Sequence, residues 1–282
     1  RANLLSVEDE RFTLVEGDLD QLDLEALLSG VEVVFHEAGQ PGVRGSWGRQ
    51  FDVYLDRNIR ATQRLLEAAR SSASLRRFVY ASSSSVYGDA ERYPTLETDR
   101  PQPKSPYGVS KLAAEHLVSL YARNFGLPTT SLRYFTVYGP GQRPDMAFAR
   151  FLRAAVRGEP IHVFGTGDQV RDFTFIDDVV EANVLAATVD HPAGSVFNVA
   201  GGSQASVNEV LEVIAGLVGR PLDVERSEVA TGDVDRTSGS TDRIRSALGW
   251  SATTPLADGL RAHHRWTVEV GLSLPDSAFT WA

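Results

Sequence analysis

Short runs rich in β-branched and aromatic residues, at 12–15, 31–35, 78–81, 132–135 and 196–199, alternate with longer amphipathic stretches at 52–69, 106–124, 147–156 and 177–187. The short runs have the pattern of strands and the long ones that of helices. A strand that follows a crossover helix returns parallel to its predecessor, and a sheet built this way is covered on both faces. The expected fold is therefore α/β, a doubly wound parallel sheet of the Rossmann type. Ligands of such sheets bind at the carboxyl ends of the strands.

After Gly139 the texture changes, with Gly, Pro, Arg and Asp crowding 140–144 and 158–172, and shorter helical patterns following from Ser206. The expected division is a sheet domain, 1–138 plus about 170–200, and a small C-terminal lobe, about 139–169 plus 201–282. The stretch 231–241 (TGDVDRTSGST) has loop chemistry, either a solvated connector or a ligand contact. A dinucleotide fold carries a glycine-rich turn after its first strand, yet no GxGxxG occurs here. Residues 11–18 read as a later strand of such a unit. A strand–turn–helix–strand segment of roughly 30 residues is thus expected ahead of Arg1.

Composition narrows the chemistry. The chain of 282 residues has no Cys, which excludes a disulfide scaffold, a thiol nucleophile and a thiolate metal site. No metal is expected, and the absence of Cys fits a reducing, cytoplasmic setting. A formal charge of −9 repels nucleic-acid backbones, and no apolar run is long enough for a membrane span. Positive charge is almost all arginine; Lys104 and Lys111 are the only lysines.

One of those lysines lies in Ser105-Pro106-Tyr107-Gly108-Val109-Ser110-Lys111. Ser105 is a good N-cap and Pro106 suits the first helical position, so a helix starts here and Tyr107 and Lys111 share a face at i and i+4. The helix N-terminus and the ammonium both favour the phenolate, as a base working near neutrality requires. An interfacial Tyr beside a snorkelling Lys would read the same. Upstream, the strand at 78–81 runs into four hydroxyls, Ser82, Ser83, Ser84 and Ser85, where a parallel sheet presents its ligand contacts. A polar turn closing the strand is the alternative.

A Ser-rich strand end followed by a YxxxK helix resembles the short-chain dehydrogenase/reductase superfamily. The blocks Ser83-Ser84-Ser85-Val86-Tyr87-Gly88, Leu132-Arg133-Tyr134-Phe135-Thr136-Val137-Tyr138-Gly139-Pro140 and Arg171-Asp172-Phe173-Thr174-Phe175-Ile176-Asp177-Asp178-Val179 look like its extended branch, the NAD-dependent nucleotide-sugar epimerases and dehydratases. The resemblance implies NAD as cofactor and a UDP-sugar as substrate. It implies Tyr107 as general base and acid, Lys111 as its electrostatic partner and ribose contact, and Ser83 as the hydroxyl on the sugar O4. It further implies cofactor contacts from Asp18 and Leu19 at adenine, Ala38, Gly39 and Gln40 beside pyrophosphate and ribose, and Asn58, Ala81, Ser82, Tyr134 and Val137. His162, Val163 and Phe164 match the segment that holds the uracil ring, Arg171 matches the arginine on the diphosphate, and Arg44 is a further substrate contact. A core aromatic at Phe164 and a turn residue at Asp18 are the structural alternatives.

Dehydratases of this branch carry an acid just after the serine, where this chain has Ser84 and Ser85. Epimerisation needs no such acid. The stretches 139–147 and 40–44 resemble the UDP-glucuronate 4-epimerases in particular, in which Thr136, Arg143 and the serine hydroxyls would hold the uronate carboxylate. A UDP-glucose 4-epimerase is the near alternative; a catalytically silent dinucleotide-binding module is the alternative of a different class. The resemblance also implies a homodimer through a four-helix bundle of 52–69 and 106–124. The chain departs from the family at Ala230, where an arginine is usual three residues before Asp233, with Arg226 or Arg236 as candidates to compensate, and at Glu37, where an apolar residue is usual.

Overall fold

The computed structural model describes residues 10–228, 232 and 234–273. A short helix α1 (Leu24–Leu28), capped by Asp23, leads into strand β1 (Val33–His36). Helix α2 (Phe51–Tyr54), a π-helical turn (Leu55–Arg60) and α3 (Ala61–Arg70) form one continuous rod. Then come β2 (Arg77–Ser83), α4 (Pro106–Phe125), β3 (Thr129–Tyr134), β4 (Thr136–Tyr138), α5 (Ala147–Arg157), β5 (Ile161–Phe164), β6 (Val170–Phe175), α6 (Ile176–Thr188) and β7 (Ser195–Val199). The chain continues through β8 (Ser203–Ser206), α7 (Val207–Val218), β9 (Val224–Ser227), α8 (Asp242–Leu248) and α9 (Leu256–Trp266).

Strands β1, β2, β3 and β7 form a parallel sheet in that order, with helices on both faces. On one face Leu65, Leu66, Ala69, Phe78, Tyr80, Ala114 and Val118 pack together; on the other, Val79, Leu132, Val179, Ala182, Phe197, Ile244 and Trp250 do. Alternate residues of β2 therefore point to opposite cores, and its seven residues are all buried, which explains the unbroken apolar run in the sequence. A third core, around Phe148, Leu152, Ile161, Phe173, Ile214 and Leu260, joins α5, β5, β6, α7 and α9. There β4 pairs with β6 in parallel, β8 with β6 antiparallel, and β5 with β9 in parallel. No helix among the described residues is long and apolar enough to cross a membrane.

Two sequence expectations need correction. Residues 12–15 form no strand, and Phe12, Leu14 and Val15 stand exposed. A strand exists only by pairing, and this run lies against no strand of the described sheet. The loop within 231–241 is no solvated connector in its second half. Ser238 and Ser240 are buried, Thr95 N–H donates to Ser238 O at 2.8 Å, and Ser240 N–H donates to Thr95 O at 2.9 Å. The Asp172 carboxylate accepts from Gly239 N–H at 3.2 Å and from Gly202 N–H at 3.0 Å, tying this strap to the start of β8. Ala230 and Asp233 lie outside the described residues.

Candidate active site

The carboxyl ends of β1, β2 and β3 lie side by side, His36 with Tyr80 in register and Ser83 with Tyr134. Across this edge α4 begins. Ser105 Oγ accepts from Gly108 N–H at 3.1 Å and Pro106 opens the first turn, the N-terminus that the sequence specifies. Gly108 is needed for packing: a Cβ there would stand 2.5 Å from Ser85 O, so only glycine lets α4 approach the serine turn. Tyr107 and Lys111 thereby face the end of β2.

Ser83 Oγ accepts from Ser85 N–H at 3.1 Å and stands near enough to Tyr107 to favour its phenolate. Contrary to the sequence expectation, the Tyr107 phenol is pushed up in pKa, because burial outweighs the downward pull of Ser83 and of the Arg143 charge. Lys111 is buried as well, its Nζ 4.6 Å from the centre of the Tyr80 ring. Burial lowers its pKa to about 8, while Glu37 and Glu115 act to keep it charged.

Behind this group lies a network that sequence reasoning missed. Glu115, one turn beyond Lys111, accepts from Ser82 Oγ at 2.6 Å and from Arg133 through Nε at 2.9 Å and Nη2 at 2.6 Å. Arg133 also reaches Tyr87 Oη at 2.7 Å, and Tyr87 donates to Asn198 Oδ1 at 2.7 Å. The Lys-x-x-x-Glu spacing signals Glu115; its partner is visible only in the register that sets Arg133 beside Ser82. Ser82 thus spends its hydroxyl proton on the protein.

The turn at Ala38, Gly39 and Gln40 is fixed by Asn58. Asn58 Oδ1 accepts from Gln40 N–H at 2.6 Å, and its Nδ2 donates to Gln40 O at 3.0 Å and Ser110 Oγ at 2.9 Å. A Cβ on Gly39 would come within 2.9 Å of Asn58 Oδ1, so the glycine makes the clamp possible. Asn58 O accepts the Thr62 hydroxyl at 2.6 Å, which leaves Thr62 to accept from His36 Nε2 at 2.8 Å. Tyr134 Oη lies 3.0 Å from Glu37 and 2.9 Å from Asn183. Asp18 closes a turn, accepting Asp20 N–H at 2.9 Å, and Leu19 packs on the α3–α4 core.

On the opposite wall, Gln142 donates to Val137 O at 2.8 Å and accepts Ala149 N–H at 3.0 Å, clamping the loop that carries Arg143. Thr136 and Val137 stand on β4 beside this loop. Arg143 meets Asp145 edge to edge, Nε to Oδ1 at 2.9 Å and Nη2 to Oδ2 at 2.5 Å. Ala81 and Ser83 to Ser85 lie at the end of β2 and in the turn beyond it. Farther out, the Arg44 guanidinium stacks on Phe164, 3.8 Å from its centroid, joining the loop after β1 to β5. Val163 is buried in the third core, and the exposed His162 pairs with Glu225 at 3.0 Å. Arg171 reaches Val170 O at 3.0 Å. Of the two candidates to compensate for Ala230, Arg226 is bound to Thr166 O and Asn208, and Arg236 to Gln204 at 2.6 Å.

The donor set fits one end of a dinucleotide: a phenol and an ammonium on one helix face, beside a turn held open by a glycine. Known proteins resemble the chain across this whole arrangement. Residues 2–200 match the NAD dependent epimerase/dehydratase family. The chain is 42% identical to an uncharacterized UDP-glucose epimerase, YtcB, of Bacillus subtilis (strain 168), over 89% of this chain and 79% of that one. The crystal structure of UDP-glucuronic acid 4-epimerase from Bacillus cereus, in complex with UDP-glucuronic acid and NAD, superposes with a TM-score of 0.92 at 39% identity, covering 95% of this chain and 85% of that one. MoeE5 in complex with UDP-glucuronic acid and NAD gives a TM-score of 0.86 at 47% identity, over 90% and 85% of the two chains. With its parallel sheet, its serine-rich strand end and its Tyr107–Lys111 helix, the chain belongs to the NAD-dependent epimerase/dehydratase family.

Proposed function

We propose that the chain inverts C4 of a UDP-sugar, converting UDP-glucuronate to UDP-galacturonate, with Ser83, Tyr107 and Lys111 as its catalytic residues. The observation that carries the reading is the placement of Tyr107 and Lys111 on one face of α4 against the serine-rich end of β2, Lys111 Nζ lying 4.6 Å from the Tyr80 ring, with Arg143 on the clamped loop after β4. When bound, NAD supplies reversible hydride acceptance for C4. Tyr107 takes the O4 proton as the C4–H bond breaks, Ser83 hydrogen-bonds O4, and Lys111 holds positive charge beside the forming phenolate. The 4-keto sugar then presents its other face, and Tyr107 returns the proton. No acid follows Ser83, so elimination of water lacks its catalyst.

In this reading Thr136, Arg143, Ser84 and Ser85 hold the uronate carboxylate. Arg44, His162, Val163 and Phe164 hold the uridine end, and Arg171 the diphosphate. Asp18, Leu19, Ala38, Gly39, Gln40, Asn58, Ala81, Ser82, Tyr134 and Val137, with Tyr107 and Lys111, line the cofactor side. The cofactor domain comprises 1–138 with about 170–200, the remainder forms the substrate lobe, and the enzyme works in the cytoplasm as a homodimer. UDP-glucose is the second candidate substrate, favoured by the 42%-identical relative. Following the anomeric protons of both sugars by NMR tests the choice. Arg143→Ala should slow UDP-glucuronate turnover roughly 10- to 150-fold, the loss of a charge-assisted bond, and UDP-glucose turnover much less. Equal losses, or faster wild-type turnover of UDP-glucose, would move the assignment to the neutral hexose.

A further inference from the structure

Arg143 carries its own carboxylate. Asp145 takes the Nε and Nη2 edge of the guanidinium in two parallel bonds of 2.9 and 2.5 Å, the planar pairing that suits this side chain. The two partners differ in setting: the Asp145 side chain is 65% exposed, that of Arg143 only 27%. The hydrogen bond from Arg143 and its charge hold the Asp145 carboxyl below its usual range, and the same charge acts on Tyr107. A guanidinium has five N–H donors. Asp145 occupies the Nε–Nη2 edge, which leaves the Nη1–Nη2 edge to meet a second carboxylate.

We propose that Asp145 is the positioning residue for substrate specificity: it fixes the plane of Arg143 so that its second edge is presented to the sugar's C6 carboxylate. The proposal rests on the reading that Arg143 binds a uronate. Without Asp145 the arginine keeps its charge but regains the freedom of a long side chain, and ordering it must then come out of the binding energy. Backbone bonds brace the same loop independently, from Met146 N–H to Arg143 O at 3.1 Å and from Arg150 N–H to Met146 O at 3.0 Å. Removing the exposed Asp145 side chain therefore alters the arginine rather than the loop.

The test compares Arg143→Ala, Asp145→Ala, Asp145→Glu and the Arg143/Asp145 double alanine variant, each with bound NAD, using UDP-glucuronate and UDP-glucose. Asp145→Ala should raise KM for UDP-glucuronate about 10-fold, the low end for a charge-assisted bond, with kcat changed less than KM and UDP-glucose unaffected. Asp145→Glu, which keeps the carboxylate, should restore much of the loss, and the double variant should be no worse than Arg143→Ala alone. Equal losses for the two sugars would overturn the proposal in favour of a loop-folding role. Tighter UDP-glucuronate binding by Asp145→Ala would overturn it too, because the aspartate would then be a competitor. If Arg143→Ala itself fails to discriminate between the sugars, the uronate reading falls, whereas a discriminating Arg143→Ala beside a neutral Asp145→Ala sinks only the positioning role.

Discussion

Burial sets the acid–base character of Tyr107 and Lys111 more strongly than sequence reasoning suggests. The helix N-terminus and the i+4 lysine are legible in the sequence and favour the phenolate, but the depth at which α4 crosses the sheet is not, and burial raises the phenol and lowers the ammonium. Both shifts disfavour charge in the same place, so each group needs the polar neighbours around it, Ser83 for the tyrosine and Glu37 and Glu115 for the lysine. The carboxylate at Glu37, where an apolar residue is usual, thus acquires a physical purpose. If Tyr107 moves the O4 proton, Tyr107→Phe should lower turnover at least ~10²-fold while UDP-sugar binding by calorimetry changes little. Retention of more than a tenth of the wild-type rate would remove Tyr107 from the role.

The active parts of the molecule are joined by contacts between elements. Helix α4 brings Tyr107 and Lys111 to the end of β2, and the Glu115–Arg133 pair locks α4 to β2 and β3 from beneath. Both partners are almost fully buried, so cutting one leaves a stranded charge. Arg133→Met should cost about 3–5 kcal/mol of stability in urea unfolding, and the double change with Glu115→Leu should recover much of it. If the single change costs under 1 kcal/mol, the pair does not hold the helix. Most elements here are readable from sequence, since the strands at 78–81 and 132–135 and the helices at 52–69 and 106–124 appear within a few residues of expectation. Pairing is not: it decides that 12–15 lies unpaired and that Arg133 meets Glu115, and it depends on contacts far apart in the chain.

At the scale of the whole molecule, three buried histidines, His36, His191 and His263, couple folding to pH, burial lowering the pKa of each. Burial lowers His36 to about 3 and His263 to about 4, and both His263 ring nitrogens lack a partner. A folded-state pKa below the unfolded value means that the unfolded chain binds more protons, so stability present above about 6.5 is lost as pH falls toward 4 and then 3. The slope from His36 and His263 alone reaches about 2.5 kcal/mol per pH unit near pH 5. Urea midpoints should fall between pH 7.5 and 5, and His263→Met should flatten the fall; a pH-independent midpoint would contradict these assignments. Assembly belongs to the same scale. Leu55 on the rod of α2 and α3, and Val109 and Leu120 on α4, stand exposed on the helices expected to form a four-helix bundle with a second copy. Light scattering should give twice the chain mass of 30.7 kDa at micromolar concentration, and a monomer mass would contradict the dimer.

Inversion at C4 without loss of the C4 hydrogen is the outcome that the proposed roles of Ser83, Tyr107 and Lys111 most directly require. UDP-glucuronate deuterated at C4, incubated with the NAD-loaded enzyme in ordinary water and followed by NMR and mass spectrometry, tests it. The expected product is UDP-galacturonate with its deuterium still on C4, because Tyr107 exchanges only the O4 proton with solvent. Deuterium washed out of C4 into water, or no inversion of either UDP-glucuronate or UDP-glucose, would contradict the assignment.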